Sequence, residues 1–201
     1  MRKFLALAAT VILGGALLIA GCGNDNNKQA ASNSKQVLKI GATAVPHAEI
    51  LEQVKPILAK DGIELKITEF TDYNTPNLAL GDKEIDANFF QHIPYMDEFA
   101  KAHKLNLVSA GGVHLEPMGL YSRQIKDLKD LPKGAKIAIP NDPTNGGRAL
   151  LLLQKQGLIT LKDSSNILST VQDIASNPNE YQFVELEAAQ VPRSLDDVAL
   201  A

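Results

Sequence analysis

The sequence predicts an α/β fold with mostly parallel sheets, because segments with strand and helix patterns alternate along the chain. Short runs such as Val37-Leu38-Lys39-Ile40-Gly41 have the composition of strands. They alternate with stretches whose apolar residues recur at three- and four-residue spacing, which indicates one buried face of a helix. Glycine or proline punctuates these segments, and no repeat of fixed period occurs.

The first half of the chain is expected to contain three helices. The first, over residues 47–60, contains Pro56, which is expected to kink or divide it. Gly62 is placed to end this helix, and strict alternation over 63–67 then predicts a strand. The remaining predicted elements are a short helix over 77–80 stopped by Gly81, a strand over 85–90, a helix over 94–103 and a strand over 106–109.

The second half repeats the alternation after Gly111-Gly112, and residues 118–122 are expected to cross into a second lobe. Its predicted elements are a strand over 136–140, a turn with a capping residue over 141–145, a leucine-rich helix over 148–156 ended by Gly157, and a strand over 181–186. Residues 195–201 have the pattern of a loop that leads into a new strand.

The first residues predict a secretory signal. Arg2 and Lys3 precede an apolar run over 4–20, and small residues follow before Cys22. The alternative is a membrane-spanning helix, but the run is only about as long as the shortest bilayer span. A polar stretch also follows it at once, which favours the signal.

Cys22 is the single cysteine, so it cannot form an internal disulfide. It is either a stray thiol in a discarded signal or a site of lipid attachment. The segment Leu18-Ile19-Ala20-Gly21-Cys22 resembles the lipobox of bacterial lipoproteins, which favours lipid attachment. Residues 24–36 contain no large apolar side chain, so they are expected to form a flexible tether.

The charge balance argues against nucleic acid as a partner. The chain has 20 Lys and Arg residues against 23 Asp and Glu residues, for a net charge of −3. The basic residues are scattered, so no phosphate-binding surface is predicted.

No motif of an enzyme or a metal site is present in the sequence. The four histidines include no helical His-x-x-x-His pair. The segment Asn145-Gly146-Gly147-Arg148 lacks the Lys-Ser/Thr of a phosphate loop, and no Gly-x-Ser-x-Gly turn occurs. We therefore predict no catalytic residue, no cofactor and no metal ion.

An aromatic and polar cluster over residues 88–95 is a candidate binding element. It combines Phe89, Phe90, His92 and Tyr95 with two side-chain amides, in a chain that is only 5% aromatic. At the end of a strand these groups would lie where open α/β sheets bind ligands. The alternative is that the phenylalanines belong to the core and His92 caps a turn. Alternation along a strand lets only one of the two phenylalanines face the cleft.

Arg148 is a candidate anchor for a carboxylate. It lies near the start of a predicted helix, where the partial positive charge of the helix terminus attracts anions. A guanidinium group matches a carboxylate with two hydrogen bonds. The alternative is a solvated arginine on the helix surface.

Several longer segments resemble one known family. They are Lys39-Ile40-Gly41-Ala42-Thr43, Phe90-Gln91-His92-Ile93-Pro94-Tyr95, residues 114–122 (HLEPMGLYS), residues 137–145 (IAIPNDPTN), residues 147–154 (GRALLLLQ) and residues 186–197 (LEAAQVPRSLDD). With the lipobox, they are similar to the methionine-binding lipoproteins of bacterial ABC importers, the MetQ/NlpA group. The similarity extends to Ala201.

The resemblance implies a periplasmic-binding-protein fold of type II, in which two α/β lobes close over the ligand at a hinge. On this basis residues 1–21 are the signal peptide, 22–36 the lipidated cysteine and tether, 37–119 lobe 1 and 120–201 lobe 2. The implied function is capture of methionine, D or L, for an importer made of a permease and an ATPase. The membrane is contacted through the lipid anchor.

The resemblance also implies a set of ligand contacts in this sequence. They fall on Tyr73, Phe90, His92, Tyr95, His114 and Arg148. Arg148 would bind the ligand carboxylate, and the aromatic rings would line a pocket for the thioether. His92 and His114 would supply polar contacts or shape the wall.

Relatives in this family continue beyond the position that matches Ala201. We therefore expect the chain to be a fragment whose second lobe and return to the first are incomplete. The alternatives for function are a binder of another small amino acid or short peptide, a surface lipoprotein that acts only by protein contact, and an enzyme. The last lacks any visible reactive constellation.

Overall fold

The parallel pairing expected from the alternating pattern is present in the first sheet. The computed structural model describes residues 36–201, so the signal, Cys22 and the tether up to residue 35 lie outside the described residues. The sheet has the order β2-β1-β3 and consists of β1 (Gln36–Thr43), β2 (Ile63–Phe70) and β3 (Ala87–Phe89). Strand β1 pairs in parallel with both neighbours.

Three helices accompany this sheet: α1 (Glu49–Lys60), α2 (Thr75–Gly81) and α3 (Ile93–His103). Helix α1 passes through Pro56 without interruption, so the expected division of the helix is wrong. Proline in a helix removes one hydrogen bond, and the apolar face of α1, with Leu51 buried, packs on the sheet and offsets that loss. Gly62 has a φ of +78°, as its place after the helix predicts.

The second sheet is built from residues further along the chain. Strand β4 (Lys136–Pro140) pairs in parallel with β7 (Gln182–Leu186), and helix α4 (Pro143–Lys155) follows β4. Two short strands, β5 (Thr160–Leu161) and β6 (Ile174–Ser176), pair antiparallel. A 3₁₀ segment over Ala188–Asp196 follows β7.

Helix α4 begins before residue 148, the predicted start. The carboxylate of Asp142 accepts a 2.8 Å hydrogen bond from the main-chain N–H of Asn145, and Pro143 occupies the first helical position. The turn residues predicted over 141–145 thus supply the cap and the first turn of the helix itself.

The buried side chains form separate apolar clusters. The largest lies around β4 and α4, where Ile137, Leu150, Leu153 and Leu200 are each 1% exposed or less. Leu200, within the predicted segment 195–201, forms an isolated parallel bridge with Ile137. A smaller cluster joins α1 to the first sheet, and an aromatic cluster contains Phe90, Tyr95 and Phe99.

The two sheets are connected by residues 105–121, which we call the linking segment. It contains neither helix nor strand. The strand predicted over 106–109 is therefore wrong. Its apolar residues have no sheet partner among residues 36–201, and Val108 is 82% exposed. A strand needs a neighbour to satisfy its backbone groups, so apolar composition alone does not form one.

Within residues 36–201, no helix has the length and apolar character needed to cross a membrane.

Candidate functional site

A cavity of about 1740 Å³ lies where the carboxyl end of the first sheet faces helix α4. Parallel sheets commonly bind ligands at this end of their strands. All six residues implied by the resemblance line the cavity: Tyr73, Phe90, His92, Tyr95, His114 and Arg148. Residues more than 70 positions apart in the sequence therefore share one cleft.

Three aromatic rings form one wall of this cavity. The ring centroid of Tyr73 lies 5.8 Å from that of Phe90 and 6.2 Å from that of Tyr95. The hydroxyl of Tyr95 donates a 2.9 Å hydrogen bond to the main-chain oxygen of Tyr73. Phe90 and Tyr95 are 8% and 6% exposed, whereas Tyr73 is half-buried. Burial raises the pKa of Tyr95, so its hydroxyl remains neutral.

The two neighbouring phenylalanines point to different surroundings. Phe90 belongs to the aromatic wall, whereas Phe89 packs on the cluster beneath α1 and meets the ring of His47 edge-on at 4.7 Å. Phe90 lies just after β3, and both phenylalanines line the cavity, so the expectation that only one of them faces the cleft is wrong.

A buried network of three amides fixes the end of β3. The side-chain oxygen of Asn77 accepts hydrogen bonds from Asn88 and Gln91 at 2.8 and 2.7 Å, and its amide donates to Gln91 at 2.8 Å. Asn77 is 0% exposed. Because Phe90 and His92 flank Gln91, the network positions both side chains at the cavity.

His92 lines the cavity and has an unsatisfied polar atom. Its Nε2 is buried and has no hydrogen-bond partner within residues 36–201. Burial, and then the nearby charge of Arg148, lower the pKa of His92. The imidazole is therefore neutral at pH 7 and can donate or accept one hydrogen bond.

Arg148 lies in the second turn of α4 and is half-buried. Its Nη1 donates to the side-chain oxygen of Asn145, and its Nη2 donates to the main-chain oxygen of Glu116, both at 3.1 Å. The first turn of α4 already has an anion, because the carboxylate of Asp142 caps it. Anion recognition at this end of the cavity consequently depends on the guanidinium group more than on the helix terminus.

His114 sits on the linking segment beside Glu116. Its Nε2 lies 2.8 Å from the Oε1 of Glu116, and that same oxygen lies 3.6 Å from the Nε2 of His47. His47 is buried, whereas the side chain of His114 is 28% exposed. Burial lowers the pKa of His47, opposed by the carboxylate of Glu116.

A side-chain hydrogen bond also extends from the residue that follows Tyr73. The side-chain amide of Asn74, at the start of α2, donates to Glu187, which follows β7, at 3.1 Å. It joins the region of the first sheet to that of the second.

The geometry suits a small zwitterion with an apolar side chain. Arg148 supplies a fixed cation, three rings supply an apolar wall, and His92 supplies a neutral polar atom. Four further residues that shape the site were not predicted from the sequence: Asn77, Asn145, His47 and Glu116. The pattern His114-x-Glu116 was visible and places both side chains on one side of an extended segment, but His47 is brought to it only by the fold.

Comparison with known proteins gives consistent matches. The profile of the NlpA lipoprotein family matches residues 38–201. A Vibrio cholerae protein named "Probable D-methionine-binding lipoprotein MetQ" is 45% identical over 202 residues, covering 100% of this chain and 72% of that protein.

Solved structures agree with the sequence matches. A nutrient binding protein from Burkholderia cenocepacia bound to methionine is similar with a TM-score of 0.78 and 48% identity, over 82% of this chain and 70% of that one. A periplasmic substrate-binding protein of an ABC transporter from Coxiella burnetii gives a TM-score of 0.77 and 48% identity, over 82% and 69%. The α/β fold is therefore that of periplasmic substrate-binding proteins.

Proposed function

Because the chain belongs to the NlpA lipoprotein family, we propose that it binds methionine outside the cytoplasm and delivers it to an ABC importer. The observation that carries this proposal is the placement of Arg148 in the same cavity as the aromatic wall of Tyr73, Phe90 and Tyr95. The relative from Vibrio cholerae bears the name of a D-methionine binder, and the Burkholderia structure contains methionine.

Each side chain has a specific role in this proposal. Arg148 binds the carboxylate of the amino acid through its guanidinium N–H groups. The rings of Tyr73, Phe90 and Tyr95 surround the thioether, because sulfur makes favourable contacts with aromatic edges. His92 and His114 line the same cavity, where they supply polar contacts or shape the wall.

The chain would work as two lobes with a lipid anchor. Residues 1–21 are the proposed signal peptide, Cys22 the lipidated residue and 22–36 the tether. Lobe 1 comprises 37–119 and lobe 2 comprises 120–201. Separate sheets and separate apolar clusters support two lobes, while contacts across the cleft group the described residues as one unit.

The proposal makes the protein a carrier and not an enzyme. Its chemistry is reversible binding, and its partners are the permease and ATPase of the importer. The Coxiella burnetii structure, described as a periplasmic substrate-binding protein of an ABC transporter, supports these partners.

Calorimetric titration with amino acids tests the proposal. The full-length chain in detergent is titrated with D- and L-methionine, and with alanine, leucine and glutamate as controls. Saturable binding of one methionine per chain, tighter than that of the controls, is expected. Preference for another amino acid would favour the alternative of a different small ligand, and binding of none would favour a lipoprotein that acts by protein contact.

A further inference from the structure

Two histidines and a carboxylate meet in the cavity wall. Of the three, only His114 has a role in the proposed methionine contacts. The cluster consists of His47, His114 and Glu116. The donor atoms of all three lie within 4.8 Å of one another. His47 follows strand β1, whereas the other two come from the linking segment, so the fold assembles the cluster from two distant parts of the chain.

We propose that His47, His114 and Glu116 bind a first-row divalent transition-metal ion of the Zn²⁺ class. Two imidazoles and one carboxylate are the ligands that such ions share in open sites with three protein ligands. Tetrahedral coordination with bonds of about 2.0–2.2 Å separates ligand atoms by roughly 3.3–3.6 Å. The separation of 3.6 Å between His47 and the Oε1 of Glu116 lies in this range, whereas the 2.8 Å separation from His114 is shorter and would widen on metal binding.

The contact between His47 and Glu116 is not a hydrogen bond. Its 3.6 Å length exceeds the 2.7–3.2 Å range of N–H···O bonds, yet the two groups face each other inside a cavity that both line. A cation bridging the imidazole and the carboxylate would bind both atoms at once.

Neighbouring residues hold the cluster as the outer partners of a metal site would. The Oγ1 of Thr43 lies 2.7 Å from the Nδ1 of His47. A partner on the second nitrogen fixes the ring and directs Nε2 toward the metal, as is usual for ligating histidines. The ring of Phe89 contacts both imidazoles edge-on at 4.7 and 5.6 Å, and Arg148 holds the main chain of Glu116.

The competing account is a purely hydrogen-bonded cluster in which Glu116 accepts a hydrogen bond from His114 alone. It predicts no saturable metal binding. It also leaves the imidazole of His47 facing a carboxylate beyond hydrogen-bond distance.

Titration of the metal-free protein with Zn²⁺ tests the proposal. The full-length chain, without a histidine tag and without amino acids, is treated with a chelator and titrated by calorimetry. We expect one Zn²⁺ per chain in wild type. His47→Gln and Glu116→Gln should each weaken binding at least about tenfold, since loss of even an outer partner costs about 10–100-fold. Mg²⁺, which prefers oxygen ligands, should not compete.

The control variant is His103→Gln, because His103 is an exposed histidine at the end of α3 and outside the cluster. Cys22 is present in every variant and contributes equally. Circular dichroism verifies folding. The side chain of Glu116 is 51% exposed, so the Glu116→Gln variant is expected to fold.

Binding of Co²⁺ provides a second measurement. The visible absorption bands of Co²⁺ in a low-symmetry site should be present in wild type and lost in Glu116→Gln. Wild type without saturable Zn²⁺ binding, or cluster variants that bind as tightly as wild type, would overturn the proposal.

Discussion

The guanidinium group of Arg148 donates a 3.1 Å hydrogen bond to the main-chain oxygen of Glu116. This contact joins helix α4 to the linking segment, which itself contains neither helix nor strand. The other donor of Arg148, Nη1, donates a hydrogen bond to Asn145 of the same helix. Arg148 is thus held in place before any ligand arrives, and preorganisation of this kind reduces the entropy lost on binding.

Substitution of Arg148 by alanine is expected to weaken methionine binding by roughly ten- to hundredfold. The reason is that a hydrogen bond to a charged group contributes about 1.5–3 kcal/mol. Arg148→Lys keeps the charge but not the planar fork, so an intermediate loss is expected. Calorimetric titration measures the change. Arg123→Ala, which removes an exposed arginine paired with Asp196, is the control and should leave the affinity unchanged. Equal affinity in Arg148→Ala and wild type would remove Arg148 from the site.

Substitution of Asn77 by alanine is expected to destabilise the fold by about 1–3 kcal/mol, because Asn88 and Gln91 lose a buried partner. Urea denaturation measures the free energy of unfolding. The matched control is Asn106→Ala, since Asn106 is exposed, and its change should stay within about 0.5 kcal/mol. If both variants unfold at the same urea concentration as wild type, the amide network does not stabilise the end of β3.

Gly147 permits a close approach that a side chain would block. A Cβ at this position would overlap the main-chain oxygen of Ile167, and backbone cannot yield as a side chain tip can. Gly147→Ala is therefore expected to lower the free energy of unfolding by about 1–3 kcal/mol or more. Gly112→Ala is the control, because nothing lies within 4 Å of its Cβ position. Thermal unfolding of the two variants should give clearly different midpoints, and similar midpoints would show that the close contact between Gly147 and Ile167 does not limit the residue at this position.

Stability is expected to fall as the pH drops below the ordinary histidine pKa of 6.5. Burial lowers the pKa of His92 in the folded state, so the unfolded chain takes up a proton first and the folded state loses stability as the pH falls. His47 acts in the same direction. His92→Gln should flatten the pH dependence of the free energy of unfolding between about pH 7.5 and 5. An unchanged slope, with His103→Gln as reference, would show that His92 is not responsible.

Much of the fold followed from the pattern of apolar residues. Strand β4 was predicted at its observed bounds, and a capping residue within 141–145 and the positive φ of Gly62 followed from local turn chemistry. Sequence patterns suffice for these two features because each has a local cause. A capping oxygen lies within a few residues of the helix start, and the absence of a Cβ permits the positive φ. The failures came where tertiary contacts decide, as at Pro56, where packing of α1 outweighs one lost hydrogen bond.

Less of the candidate site than of the fold could be predicted from the sequence. Phe90, His92 and Tyr95 formed a visible cluster, but the pairing of Arg148 with Glu116 and of Glu116 with His47 joins residues that are distant in sequence. No periodicity encodes such contacts, because they arise from the order of strands in the sheet. The strand predicted over 106–109 failed for the same reason, since composition does not specify a partner strand.

Thermal unfolding of the full-length chain with and without methionine tests the central claim most directly. A ligand that binds only the folded state stabilises it by about 2.7 kcal/mol at a hundredfold excess over the dissociation constant. We predict that methionine raises the midpoint of wild type, that alanine and glutamate do not, and that Arg148→Ala reduces the rise. A cooperative transition whose midpoint is the same with and without excess methionine would contradict the account.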